Sequence, residues 1–224
     1  MLHKTRGIVL GHIKYGDTSI ICKIYTEEFG LQTYIVNGVR SKSSKNKIAL
    51  FQPLTLLDMV VYHKENRDIN RISEMKCNMV FHSIPFEQKK IGMVIFLSEL
   101  LTKTLKEQSP NQELFELILH TISYLDVIEE HYENLHLQFM IQLAAFLGFA
   151  PGTVEDILHE IRLSLTEEEK KNLSDLMTSN PDQYVRINNQ SRRHLLDCLL
   201  RYYMIHVENF GAMNSLAVLQ EIFG

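Results

Sequence analysis

Residues 19–37 read SIICKIYTEEFGLQTYIVN, and the way this stretch alternates decides how the first part of the chain folds. Ile20, Cys22 and Ile24 alternate with Ser19, Lys23 and Tyr25, and Leu31, Thr33 and Ile35 alternate with Gln32, Tyr34 and Val36. A period of two belongs to a β-strand that turns one face to a core and leaves the other available. Runs of similar character, β-branched or aromatic-rich, lie at Gly7–His12, Leu54–Tyr62 and Ile69–Glu74, with turn formers or polar clusters between them. Five short strands within the first 80 residues suit a small barrel of the OB-fold or SH3-like kind, and pattern alone does not choose between the two.

From about residue 86 the period changes to that of a helix. Ile91, Val94, Ile95, Leu101 and Leu105 share one helical face, as do Leu114, Phe115, Ile118, Ile122 and Leu125 in the next segment, with Ser109-Pro110-Asn111 as the break. A third helix is predicted over Asn134–Leu147, with Gly148 as its C-cap and Pro151 shortly beyond. Thr166 with Glu169 three residues on forms a capping-box pattern, and Ser191 stands ahead of a helix over Arg192–Val207. The expected fold class is therefore α+β in two domains, a five-stranded barrel over residues 1–80 and an all-α domain over 81–224.

The net charge of −4 hides an asymmetry. Residues 1–80 hold 12 Lys and Arg against 7 Asp and Glu, whereas residues 81–224 hold 11 against 20. A basic module joined to an acidic one suggests that the first part holds a polyanion and the second does not. The segment Arg40, Ser41, Lys42, Ser43, Ser44, Lys45, Asn46, Lys47 carries four cations and no acid, and Lys4, Arg6, Lys14 and Lys23 lie in the same module. Cations beside Tyr15, Tyr25, Phe29 and Tyr34 make the mixture that single-strand binding uses, phosphate contacts with aromatic faces for bases. For each aromatic taken singly, packing inside the barrel is the stronger expectation.

Other chemistries find little support. Cys22, Cys77 and Cys198 are far apart and form no CxxC pair, which fits a reducing compartment. The N-terminal residues lack the apolar core of a signal peptide, and no run approaches the ~18 apolar residues of a membrane span. His194 and Cys198 share a helical face but are two ligands short of a zinc site, and His131 and His136 diverge around a helix. No phosphate-binding GxxxxGK[ST], GxSxG, HExxH or helix-opening GxGxxG is present, so no enzymatic activity is expected. Glu167, Glu168 and Glu169 complement a helix dipole, and Tyr15-Gly16-Asp17 reads as a turn.

The ordered residues Tyr15-Gly16-Asp17-Thr18-Ser19, Tyr25-Thr26-Glu27-Glu28-Phe29-Gly30 and Gly38-Val39-Arg40 resemble the opening of the RecO family. Pro110-Asn111, Glu113-Leu114-Phe115, and Phe139 through Leu143 to Leu147-Gly148-Phe149-Ala150-Pro151 are similar to the helical half of that family, as is the tail from Arg201-Tyr202-Tyr203 to Asn209-Phe210-Gly211. The resemblance implies an OB-fold for residues 1–80. It implies binding of single- and double-stranded DNA, annealing of complementary strands, and work with RecR to load RecA onto strands coated with single-strand-binding protein. It leaves open whether RecF takes part, with RecA reached only indirectly. Lys4, Arg6, Arg40, Lys42, Lys45 and Lys47 are the expected phosphate contacts, and Arg192, Arg193 and Arg201 the expected cations beside the acidic tail of the single-strand-binding protein. It also implies a cytoplasmic site of action, at the nucleoid during repair, and no membrane. Many members carry a four-cysteine zinc module after the GFAP stretch. Here Pro151 leads into Gly152-Thr153-Val154-Glu155 with no cysteine until Cys198, so neither zinc nor another cofactor is expected. Two other readings remain, a protein-binding scaffold without annealing activity and an unrecognised enzyme acting through a residue such as Asp17 or His194.

Overall fold

The computed structural model describes residues 1–41, 47–64, 67–106, 108–179 and 183–223. Five strands, β1 (Leu2–Tyr15), β2 (Ser19–Thr26), β3 (Gly30–Val36), β4 (Leu56–Tyr62) and β5 (Asn70–Cys77), close into a barrel in the order β1-β2-β3-β5-β4. β5 lies between β3 and β4 and pairs in parallel with β3, at Tyr34 with Asn70 and Ile35 with Arg71. This Greek-key exchange selects the OB-fold from the two barrels that pattern left open.

β1 is longer than the Gly7–His12 run because it serves two neighbours. Its first half pairs with β4 and its second with β2, and a bulge between Val9 and Gly11 bends it from one to the other. Hydrophobic alternation did not mark its ends, which carry Lys4, Arg6 and Lys14. The inward residues are Val9, Ile20, Cys22, Ile24, Tyr34, Val36, Leu57, Met59 and Val61, joined by Val39 and by Phe51 of a 3-10 turn over Ile48–Phe51. On β3 the buried side is therefore the Gln32, Tyr34, Val36 set. Gln32 is kept satisfied there: its amide donates to the Phe29 carbonyl at 2.8 Å, and its oxygen accepts from Asn70 Nδ2 at 3.2 Å.

Seven helices follow: α1 (Gln88–Thr104), α2 (Gln112–Val127), α3 (Leu135–Phe146), α4 (Val154–Ile161), α5 (Glu167–Thr178), α6 (Asn189–His206) and α7 (Leu216–Phe223). Two compact units emerge, one of residues 1–82 with 97–122, the other of 83–96 with 123–224. Residues 97–122 join the barrel unit through specific contacts. The Ser98 hydroxyl donates to the Leu10 carbonyl, and Phe115 stacks on Tyr25 at 6.3 Å between centroids. Gly30, at φ +61°, brings the β2–β3 turn against the α1–α2 connection, where a Cβ would lie 2.4 Å from the Ser109 carbonyl oxygen.

In the other unit, α3 ends at Gly148 with φ +84°, and the Phe149 amide closes back on the Ala144 carbonyl at 3.0 Å. The Thr166–Glu169 capping box forms as its spacing predicts. α6 starts earlier than expected: Asn188 is its cap and accepts from the Ser191 amide, so Ser191 lies inside the first turn. The short helices α4 and α7 were not read from the sequence, although Thr153 and Asp156 form a full capping box for α4. The expected face of α1 is met in part: Val94, Leu101 and Leu105 are buried, whereas Ile91 and Ile95 are exposed and Met93, Phe96, Leu97 and Leu100 are buried instead. Lys90, 1% exposed, donates to the Ser83 hydroxyl and the Ile128 carbonyl, both at 2.6 Å, and so satisfies a carbonyl just past the end of α2. The Gly30→Ala variant should unfold at lower urea with a loss of about 2 kcal/mol or more, because left-handed strain adds to the backbone clash. A midpoint equal to that of the parent would refute this account of the turn.

Candidate nucleic-acid interface

Successive side chains on a strand point to opposite sides, so the barrel's outer surface is read directly from its register. Across β1, β2 and β3 the outward rows are Gly11, Lys23, Thr33 and then Ile13, Ile21, Ile35, which continues to Arg71 on β5. None of these three strands contains an Asp or Glu. Lys23 is exposed at the middle of this surface. Arg40 stands at one end, with its amide bonded to the Thr18 carbonyl at 2.9 Å and its guanidinium donating to the Gly16 carbonyl at 3.2 Å, so the β1–β2 turn positions it. Lys47 is exposed at the start of the 3-10 turn. Lys42 and Lys45 lie outside the described residues. Lys14 is exposed on the opposite side of β1 from Ile13 and Tyr15.

Lys4 and Arg6 belong to another surface. There the outward rows are Lys4, Val60, Glu74 and Arg6, Asp58, Lys76, and a groove of about 540 Å³ runs between these alternating charges. Arg6 donates to both Glu27 oxygens at 2.8 and 2.7 Å and to Glu116 at 2.8 Å, and sits 5.0 Å from the centre of the Phe115 ring. These contacts raise the Arg6 pKa still further and hold the Glu27 carboxyl below its usual range. Two carboxylates thus occupy donor edges that a phosphate would take. Lys64, Arg67 and Arg71, exposed in or beside the β4–β5 connection, were not singled out from sequence. Only the β3–β5 pairing reveals that Arg71 stands beside Ile35.

The aromatic candidates separate in the same way. Tyr25 and Tyr34 are buried, Phe29 stacks on His63 at 4.0 Å, and Tyr15 is the one left with half its surface exposed. Burial and the apolar barrel push the Tyr34 hydroxyl and Cys22 thiol well up, the latter to about 12.

In the helical unit Arg192 is buried. It donates to Asn134 at 2.8 Å, Asn189 at 2.8 Å and the Ile187 carbonyl at 2.9 Å, and so braces α6 from within. Arg193 is exposed and reaches the Gln220 carbonyl at 3.3 Å, while Arg201 pairs with Asp197 one turn earlier at 2.8 Å. His194 bonds the buried Glu169 at 2.8 Å, and burial pushes the Cys198 thiol up to about 12. Among the described residues no three His, Cys, Asp or Glu side chains gather to hold a metal, and no helix is long and apolar enough to cross a membrane.

Fold and surface together define an OB-barrel protein with a cationic outer face, continued into a helical domain. Residues 1–81 match the family model "Recombination protein O N terminal" and residues 87–167 match "Recombination protein O C terminal". Along its whole length the chain is 34% identical to the whole of a DNA repair protein RecO from Bacteroides fragilis and 33% identical to the whole of one from Christiangramia forsetii. It is 34% identical to one from Flavobacterium psychrophilum over 98% of each chain. The chain belongs to the RecO family, and its role lies in DNA repair and recombination.

His136, fully buried between Phe96 and Phe223, has its pKa lowered to about 3, first by desolvation and then by the nearby Arg192 charge. The unfolded chain takes up this proton first, below about pH 6.5, so stability falls as pH drops from there towards the folded value. Replacement by Phe should remove about 2–3 kcal/mol of the loss seen between pH 7 and about pH 4.5, measured by urea unfolding. An unchanged pH dependence would contradict this.

Proposed function

We propose that the chain is a non-enzymatic mediator that binds single- and double-stranded DNA and anneals complementary strands. With RecR it helps load RecA onto strands coated with single-strand-binding protein, and it works in the bacterial cytoplasm, at the nucleoid during repair. The observation that carries this reading is the β1–β2–β3 surface, where three adjacent strands hold no carboxylate while Lys23, Arg40 and Lys47 are exposed on and around them.

Annealing asks little of covalent chemistry. A cationic surface raises the local concentration of two mutually repelling strands, and base pairing drives their union. Contacts to phosphate leave the base edges free to pair. No activated nucleophile or acid–base pair is required, in keeping with a barrel whose Cys22 and Tyr34 are buried and held protonated. For the acidic tail of the single-strand-binding protein, Arg193 and Arg201 are the accessible cations of α6, with Arg192 as an internal brace rather than a contact.

Binding of a labelled oligonucleotide should weaken steeply with salt. Lys23→Ala, Arg40→Ala and Lys47→Ala together should flatten the log–log slope by about 2, at ~0.7 for each lost contact to a single strand. The parent should also speed the pairing of complementary oligonucleotides. Failure to bind DNA in dilute buffer would end this reading, and capture of RecR or an acidic peptide without any annealing would replace it with a scaffold.

A further inference from the structure

The outward row Ile13, Ile21, Ile35, Arg71 continues one strand further than the surface described above. Arg71 is the register partner of Tyr62 on β4, and Tyr62 is the partner of Leu2 on the first half of β1. One row therefore runs round the barrel and returns to β1 at Leu2 instead of Ile13, through the stagger that closing a tilted sheet demands. Its members face out, since their strand neighbours Ile20, Tyr34, Asn70 and Val61 are all buried. Ile13 is 64%, Leu2 52% and Tyr62 50% exposed. Ile21 and Ile35 are half-buried. A row of large apolar side chains aligned across neighbouring strands, open to water at its ends and broken only by an arginine, marks a contact surface.

Charge decides what the row meets. Lys23 stands one row away on β2 and Arg40 beyond the end of β3, while the connection that leads into Arg71 carries Lys64 and Arg67 together with Asp68 and, in sequence, Glu65. Among the described residues Lys23 and Arg71 form no ion pair. The occupant must therefore offer flat apolar faces together with negative charge, and an unpaired nucleic acid strand offers both. A duplex does not, because its base faces are stacked on one another. Nor does the addition of a partner strand fit, because the barrel is closed and this row has no free edge.

We propose that the bases of a single strand lie on the row Ile13–Ile21–Ile35–Arg71–Tyr62, with the Arg71 guanidinium and the Tyr62 ring at one end as the stacking contacts and the flanking cations on the phosphates. The row crosses five strands, roughly 19 Å at the usual strand spacing, the length of a few unstacked nucleotides. Arg71 and Tyr62 thus separate single strands from duplexes, whereas Lys23, Arg40 and Lys47 serve both. This inference rests on the DNA-binding reading above and assigns it the base contacts.

The chain has no Trp, so Tyr62→Trp supplies a single reporter at an exposed position. A thymidine oligonucleotide should quench its emission saturably, in step with the anisotropy of the labelled strand, whereas a duplex of equal length or a polyphosphate should leave the emission largely unchanged. Arg71→Ala should weaken single-strand binding roughly tenfold, the scale of one lost stacking contact, and duplex binding about threefold at most. Arg71→Lys, which keeps the charge and loses the planar group, should restore only part of the single-strand affinity. If the oligonucleotide binds yet leaves Trp emission unchanged, and Arg71→Ala binds like the parent, the row is not the base site although the DNA-binding reading survives. Equal quenching by duplex also overturns the proposal. Absence of any oligonucleotide binding removes the DNA-binding reading itself, and this inference with it.

Discussion

Two residues of parallel pairing, Tyr34 with Asn70 and Ile35 with Arg71, close the barrel on which the rest of the interface depends. So short a ladder is weak by itself, and a buried polar pair supports it. Asn70 donates to Gln32, Gln32 donates to the Phe29 carbonyl, and the Asn70 oxygen accepts from the Lys64 amide at 3.3 Å. With every member satisfied, the pair specifies the join instead of penalising it. The same join places Arg71 beside Ile35 and fixes the start of the β4–β5 connection, so closure and surface chemistry arise from one contact.

The barrel sorts its charge between two outer surfaces. On the surface formed by the first half of β1 with β4 and β5, Arg6 pairs with Glu27 and Glu116 and Lys76 with Asp58, so these cations are neutralised within the protein. Where β1, β2 and β3 lie side by side, the strands carry no acid and the field is left for a ligand. An arginine therefore takes its role from its neighbours: Arg6 holds residues 112–116 to the barrel, while Arg40 is set on a turn with its charge available. The surplus of positive charge in the first 80 residues is real, but only part of it faces outward unpaired.

The helical unit uses buried polar groups as internal braces. Lys90 satisfies the Ile128 carbonyl beyond α2, and Arg192 binds Asn134 ahead of α3 and Ile187 ahead of α6. Each removes backbone or amide groups from the unsatisfied state that burial would otherwise penalise. His136 shows the other solution, since a buried imidazole simply stays neutral.

The strands at 19–26 and 30–36, the helices α1 to α3 and the capping box of α5 were legible in the chain because periodicity and caps are local properties. The family was legible for a similar reason, as short ordered motifs spaced along most of the chain. The overhangs of β1 beyond Gly7–His12, five residues before it and three after, and the eight-residue helices α4 and α7 were not, because too few turns or alternations repeat to stand out. The site was legible only as a pool of cations. Arg6 finds its partners 21 and 110 residues away, and Ile21, Ile35, Arg71 and Tyr62 become one row only through pairing between distant segments. Amino-acid order by itself determined the elements, the family and the charge imbalance. Tertiary structure decided which charges are spent inside and which face a ligand, because strand register and ion pairing join residues that no local pattern relates.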